Sequence, residues 1–152
     1  MVRLNLPPFN INVRKSQGRL EIFDVIRKKF IVLTPEEWVR QHMVHYLKND
    51  LNYPLSLIQI EGGLKYNKLQ KRTDILVFNK QGNPAVLVEC KSYKMKDMGE
   101  KVFQQAAMYN REMKAPYLVI TNGWGYYCWS FREGDIRQEK EIPAWNEINR
   151  QG

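Results

Sequence analysis

The stretch "DILVFNKQGNPAVLVECK" runs from Asp74 to Lys91, and its reading decides the fold. Two apolar runs, "ILVF" and "AVLV", flank "NKQGNP", whose Asn, Gly and Pro supply turn chemistry. The spacing predicts a buried antiparallel hairpin, with strands over 73–78 and 85–91. Yet this apolar hairpin opens on Asp74 and closes on Glu89-Cys90-Lys91. Pairing Phe78 with Ala85 sets Asp74 opposite Glu89. Period-two alternation puts Lys91 on the face of Glu89 and Cys90 on the other. Two carboxylates and an ammonium then converge at the open end of the hairpin. Facing like charges are unfavourable by themselves. Lys91 alone would offset them as an ion-pair partner. A divalent metal would do so too, since hard carboxylate oxygens suit Mg²⁺. The pattern leaves both readings open.

Upstream, "TPEEWVRQHMVHYLKND" carries helix start signals. Thr34 is a candidate cap, Pro35 takes the first helical position, and Glu37 completes a capping box. Val39, Met43, Tyr46 and Leu47 share one face, with Glu36 at its edge and Glu37 well away from it. Glu36 thus points towards the core side without an obvious structural role there, beyond stabilising the first turn through the helix dipole. "LSLIQIEGGLKY" reads as a strand broken at Gly62-Gly63. Downstream, "EKVFQQAAMYNREM" predicts a second helix, with Val102, Ala106, Tyr109 and Met113 in line. "YLVITNG" and "YYCWSF" close the order with two strands around a turn at Asn122-Gly123. Helix, three strands, helix and two strands, with both helices packed on one central sheet, make an α/β or α+β domain. One domain fills 1–152: an irregular segment over 1–19, a core over about 20–131 and a tail over 132–152.

The chain's net charge of +8 and pI near 9.5 favour an acidic partner, nucleic acid first. Lys65, Lys68, Lys71 and Arg72 precede Asp74, while Lys94 and Lys96 follow Glu89. These clusters read as phosphate contacts beside the carboxylates, or as an ordinary solvated face. Tyr66 and Tyr93 interleave them. No apolar run is long enough to cross a bilayer, and the first residues carry no signal-peptide core. Cys90 and Cys128 lack metal-ligand spacing, so free thiols in a reducing cytoplasm are expected, not a zinc site. His42 and His45 are expected on the surface of the first helix.

The D-x14-E-x-K run of Asp74, Glu89 and Lys91 resembles the motif of the PD-(D/E)xK nucleases. "QAAMY", Gln105 to Tyr109, is similar to the QxxxY element that follows it in several branches. The series "TPEEWVRQ", "KRTDILVF", "AVLVECKSYK", "QQAAMYN" and "ITNG" resembles the N-terminal nuclease domain of type I restriction enzyme R subunits, over roughly residues 20–130. Thr73 stands where the motif has Pro, and 152 residues leave no room for the motor that follows this domain in R subunits. The resemblance implies a restriction-endonuclease-like core in the order αβββαβ and Mg²⁺-dependent hydrolysis of DNA, with Mn²⁺ a possible substitute. Asp74, Glu89 and the backbone carbonyl of Cys90 would hold the metal. Lys91 would act on the water or phosphate, Glu36 through a water, and Gln105 on the site or the DNA backbone. Implied partners are DNA, other restriction-modification subunits or a second copy, in the cytoplasm. The competing readings are a non-catalytic nucleic-acid-binding module and a protein-docking module on the same fold.

Overall fold

The structure, a computed structural model, describes residues 1–60 and 74–149. Gln17 and Gly18 take positive φ of 52° and 78°, the two-residue turn whose twist suits a hairpin. It joins β1 (Val13–Ser16) to β2 (Arg19–Asp24), and β3 (Lys29–Val32) completes a three-stranded antiparallel sheet. β1 falls inside the stretch expected to be irregular. Its sequence, VRKS, has no apolar alternation to mark it.

Thr34 caps α1 (Pro35–Asn49), its side chain accepting from the Glu37 N–H at 3.0 Å. Then come β4 (Ile58–Ile60), β5 (Ile75–Phe78), β6 (Pro84–Cys90), α2 (Glu100–Met113), β7 (Tyr117–Thr121), β8 (Tyr126–Arg132), β9 (Asp135–Glu139) and the short α3 (Trp145–Asn149). The break expected at Gly62-Gly63 lies outside the described residues. Strands β4 to β9 form one six-stranded sheet in chain order. Among the described strands only β6 and β7 are parallel, and α2 makes the crossover between them. β9 and α3 occupy the stretch expected to be a tail. β9 is an exposed, charged edge strand, which blunts further pairing and also hides it from a hydrophobicity reading.

The β5–β6 register pairs Ile75 with Val88, Leu76 with Leu87 and Val77 with Val86. A bulge next to Phe78 pairs it with Pro84, not with Ala85 as expected. The bulge lies at the turn end, so the register at the open end is unaffected. One step beyond Ile75–Val88 stand Asp74 and Glu89.

Alternation sorts the sheet into two cores. Ile75, Val77, Val86, Val88, Val119 and Cys128 pack with Val39, Met43 and Leu47 of α1. Leu76, Leu87, Leu118 and Ile120 pack with Ala106 and Tyr109 of α2. Full burial of each such side chain contributes about 1.5–3 kcal/mol relative to exposure. The apolar middle of the hairpin therefore anchors it. His42 and His45 were expected on the surface but are buried. Phe9 of the N-terminal segment covers both rings, at 4.8 and 4.1 Å between centroids.

Candidate functional site at the open end of the β5–β6 hairpin

Asp74 sits where the ladder ends and is 8% exposed. Its Oδ2 accepts the Cys90 N–H at 2.7 Å, which ties the two strands together one residue past Glu89. Cys90 turns its side chain into the α1-side core, opposite to Glu89, as alternation requires. Lys91 Nζ lies 3.2 Å from Glu89 Oε1. Burial, then the nearby charge of Asp74, pushes the Glu89 carboxyl up to about 7, against the pull of Lys91.

Helix α1 supplies the cation that sequence reasoning missed. Arg40 Nη2 donates to Asp74 Oδ1 at 2.5 Å and to Glu36 Oε1 at 2.9 Å, while Nη1 donates to Glu37 Oε1 at 2.6 Å. Burial disfavours its charge, but Asp74 and Glu37 more than reverse this and raise its pKa. A signal existed: Arg40 is three residues from Glu37 and four from Glu36, the helical spacing for ion pairs. Asp74 is thus neutralised by Arg40, and Lys91 pairs with Glu89. Lys91 is not the sole offset for both carboxylates.

Of the two helix glutamates, Glu37 departs from its expected position. Glu36 is half exposed and reaches the site, its pKa raised by burial and by Asp74. Glu37 is buried, although it was placed away from the core-facing side. Its carboxylate takes Arg27 Nη2 on both oxygens at 3.0 and 3.1 Å and Gln41 Nε2 at 3.0 Å, besides Arg40. Arg27 and Gln41 also donate to the fully buried Asp24, at 2.6 and 3.1 Å. Burial works against the charge of Asp24, but bonds from Arg27 and Ile26 hold its pKa below the ordinary value. A continuous polar network therefore runs from β2 through α1 to the hairpin end.

The remaining candidates are more dispersed. Gln105 is exposed on α2 and makes no hydrogen bond among the described residues. Lys94 and Lys96 are exposed on the loop after β6. The turn after β7 braces that loop, with Asn122 Nδ2 donating to Met95 O and Trp124 Nε1 to Tyr93 O, both at 2.7 Å. Gly123 in this turn has φ +88°, and a Cβ there would stand 2.8 Å from Leu4 Cδ1, so glycine is required. Lys65, Lys68, Lys71 and Arg72 lie outside the described residues.

Counted as ionised, the network holds the carboxylates of Asp24, Glu36, Glu37, Asp74 and Glu89 against Arg27, Arg40 and Lys91. Among the described residues it is two positive charges short. The available donors at the hairpin end are hard carboxylate oxygens, which fit a divalent cation such as Mg²⁺. No group of three His, Cys, Asp or Glu is placed to hold a metal among the described residues. A cation here would therefore rest on two carboxylates and other oxygens, the sparse protein coordination usual for Mg²⁺.

The family model for the N terminus of the type I restriction enzyme R protein matches the chain over residues 35–144. The chain belongs to that family. Its fold is similar to a fragment assigned as an HsdR subunit of a type I restriction enzyme from Vibrio vulnificus YJ016, with a TM-score of 0.58 and 20% identity. The match covers 78% of this chain and 25% of that one, so the chain spans about a quarter of its solved relative. No curated protein matches it. Among the described residues no helix is long and apolar enough to cross a membrane.

Proposed function

We propose that the chain is a metal-dependent DNA endonuclease domain of PD-(D/E)xK type with a restriction-endonuclease-like core. The observation that carries this reading is the meeting of Asp74, Glu89 and Lys91 at one hairpin end, with Glu89 pushed up to about 7 by burial and by the neighbouring charge of Asp74. Asp74 and Glu89, with the backbone carbonyl of Cys90, would hold Mg²⁺, and Mn²⁺ fits the same oxygens. When bound, the ion supplies Lewis acidity at a phosphoryl oxygen and lowers the pKa of a water. Lys91 lies on the same strand face as Glu89 and stabilises charge that develops on the phosphate or orients the water. Glu36, half exposed at the rim, would accept a proton or hold a water there. Lys94 and Lys96, on a loop braced from β7, would meet the DNA backbone, with Lys65, Lys68, Lys71 and Arg72 on the preceding stretch. Gln105 would touch DNA from α2. Family membership favours a restriction-modification role in the cytoplasm, with other subunits or a second copy as partners.

The test is plasmid cleavage with and without Mg²⁺, using wild type, Asp74→Ala, Glu89→Ala and Lys91→Ala. Both carboxylate variants are expected to abolish Mg²⁺-dependent cleavage. Lys91→Ala should lower it by roughly 10² or more, the scale of losing one transition-state stabiliser, while metal still binds. Asp74→Ala also strips acceptors from Arg40 and the Cys90 N–H, so apo stability should fall by about 1–3 kcal/mol. Asp74→Asn, which keeps an acceptor for Cys90, is the control for folding. DNA binding that weakens with salt, without cleavage at any Mg²⁺ concentration, would instead favour a non-catalytic binding module.

A further inference from the structure

Arg40 touches a proposed metal ligand, and nothing in the catalytic scheme above uses it. Its side chain is 14% exposed, against 49% for Glu36. Its Nε–H finds no acceptor among the described residues, so all of its recognition passes through the two terminal nitrogens. Those nitrogens divide the work. Nη1 is committed to Glu37, which Arg27 and Gln41 hold in place. Nη2 spans the gap to Asp74 and Glu36, on the hairpin side. The guanidinium thus has a fixed end and a working end.

The working end occupies Oδ1 of Asp74, and Oδ2 of the same carboxylate is taken by the Cys90 N–H. A cation that ligates Asp74 must therefore share or displace one of these bonds. The Cys90 N–H is backbone at the end of the β-ladder and cannot leave without disturbing the hairpin. The Arg40 bond can yield, because Nη1 keeps its hold on Glu37 when Nη2 lets go. We propose that Arg40 is the resident counter-ion of the site: it neutralises Asp74 in the metal-free protein, and a divalent cation competes with it for Oδ1. Arg40 is on this account a positioning residue that sets the metal threshold. The inference rests on Asp74 being a metal ligand.

The consequence is a pair of effects with opposite signs. Removing Arg40 leaves Asp74, Glu36 and Glu37 short of a cation, so the metal-free protein loses stability. The same change frees Oδ1, so metal binds more tightly. A residue that merely shapes the helix would lower both together. Arg40→Met keeps much of the apolar stem and removes the charge. Arg40→Lys keeps the charge but cannot span Glu37 and Asp74 at once.

The experiment titrates Mn²⁺ and Mg²⁺ into the metal-free wild type, Arg40→Met, Arg40→Lys and Asp74→Asn by calorimetry, with thermal unfolding of each without metal. Arg40→Met is expected to unfold at lower temperature and to bind Mn²⁺ about tenfold more tightly, the scale of one charge-assisted bond no longer opposed. Arg40→Lys should lie between it and wild type. If Arg40→Met does not fold, the Arg40→Lys comparison carries the same opposed signs at smaller size. Metal affinity that is unchanged or weaker in both Arg40 variants, while wild type binds and Asp74→Asn does not, overturns this inference alone. If Asp74→Asn binds metal as wild type does, the metal reading of Asp74 fails, and the competition falls with it.

Discussion

Helices α1 and α2 cover opposite faces of one sheet with different side chains. α1 buries nine residues, and four of them are Glu37, Gln41, His42 and His45. α2 buries only Ala106, Tyr109 and Asn110. Thr34 caps α1 with a side-chain bond, whereas α2 starts from Gly99 with none. α2 ends where Lys114 turns left-handed at φ 57°, and Asn110 holds that end by exchanging two 2.8 Å bonds with the Ala115 backbone. The small sheet explains the contrast. It brings Asp24 and Arg27 against a second side of α1, so that helix is enclosed beyond its apolar stripe. The electrostatics of the hairpin end are therefore set from α1, while α2 contributes mainly apolar cover. Changes to the polar residues of α1 should disturb stability and site together. Changes on the outer face of α2 should disturb neither the fold nor the metal.

The largest test of that contrast lies within α1. Glu37→Gln leaves Arg27 and Arg40 without a charge that both use in a buried setting. Breaking one member of such a set should remove about 3 kcal/mol of stability. For a chain of this size that lowers the melting temperature by roughly 6–12 °C. Glu36→Gln touches a half-exposed pair with Arg40 and should change stability by about 0.5 kcal/mol or less. It should still weaken cleavage, because Glu36 faces Asp74. Thermal unfolding of both variants decides it. Equal losses of stability would mean that the network behind Arg40 does not carry charge to the hairpin end.

The sequence made much of this arrangement legible, and the gaps have physical causes. The hairpin was readable because turn chemistry and strand alternation are local, and the register survives a bulge confined to the turn. The meeting of Asp74 with Glu89 follows from that register alone. Arg40 was not readable in the same way, since its bond to Asp74 joins residues 34 apart in the chain. Nor was the burial of Glu37, because a helical wheel with one apolar stripe does not show a second covering layer. His42 and His45 were misplaced for a related reason: Phe9 arrives from an N-terminal segment with no periodic pattern. β1 and β9 are exposed strands rich in charge, and such strands carry no hydrophobic signal to read.

A smaller effect separates the hairpin end from the network behind it by pH. The Glu89 carboxyl titrates at about 7 in the folded chain against an ordinary 4.5. Between those values the unfolded chain has released its proton and the folded chain keeps it. For this group the unfolded state then binds fewer protons, so its contribution to metal-free stability falls as pH rises through this window and levels above it, while the buried His42 and His45, lowered from 6.5 by burial, act in the opposite sense. A fall of at most about 3 kcal/mol is expected from Glu89. Asp24 acts in the opposite sense, but its pKa is lowered from 3.8, so its contribution is kept throughout this window and lost only on further acidification. Unfolding of wild type and Glu89→Gln without metal, followed across the window, is the measurement. The variant should lack the fall. A slope equal to that of wild type would move the titration to another group.

The smallest expected effect belongs to α2. Gln105 is exposed on α2, so little of its side chain is buried by folding. Gln105→Ala should leave the melting temperature and the Mn²⁺ affinity at their wild-type values. If the Gln105 amide meets the DNA backbone, the loss is one hydrogen bond to a phosphate or sugar, and DNA affinity should fall about threefold. Binding of a duplex at fixed salt, measured beside metal calorimetry on the same variant, separates the outcomes. A parallel loss of metal affinity would show that α2 reaches the carboxylates and would break the contrast between the two helices. No change in either measurement would leave Gln105 as plain surface and assign the whole of the hairpin-end chemistry to the α1 side and the hairpin itself.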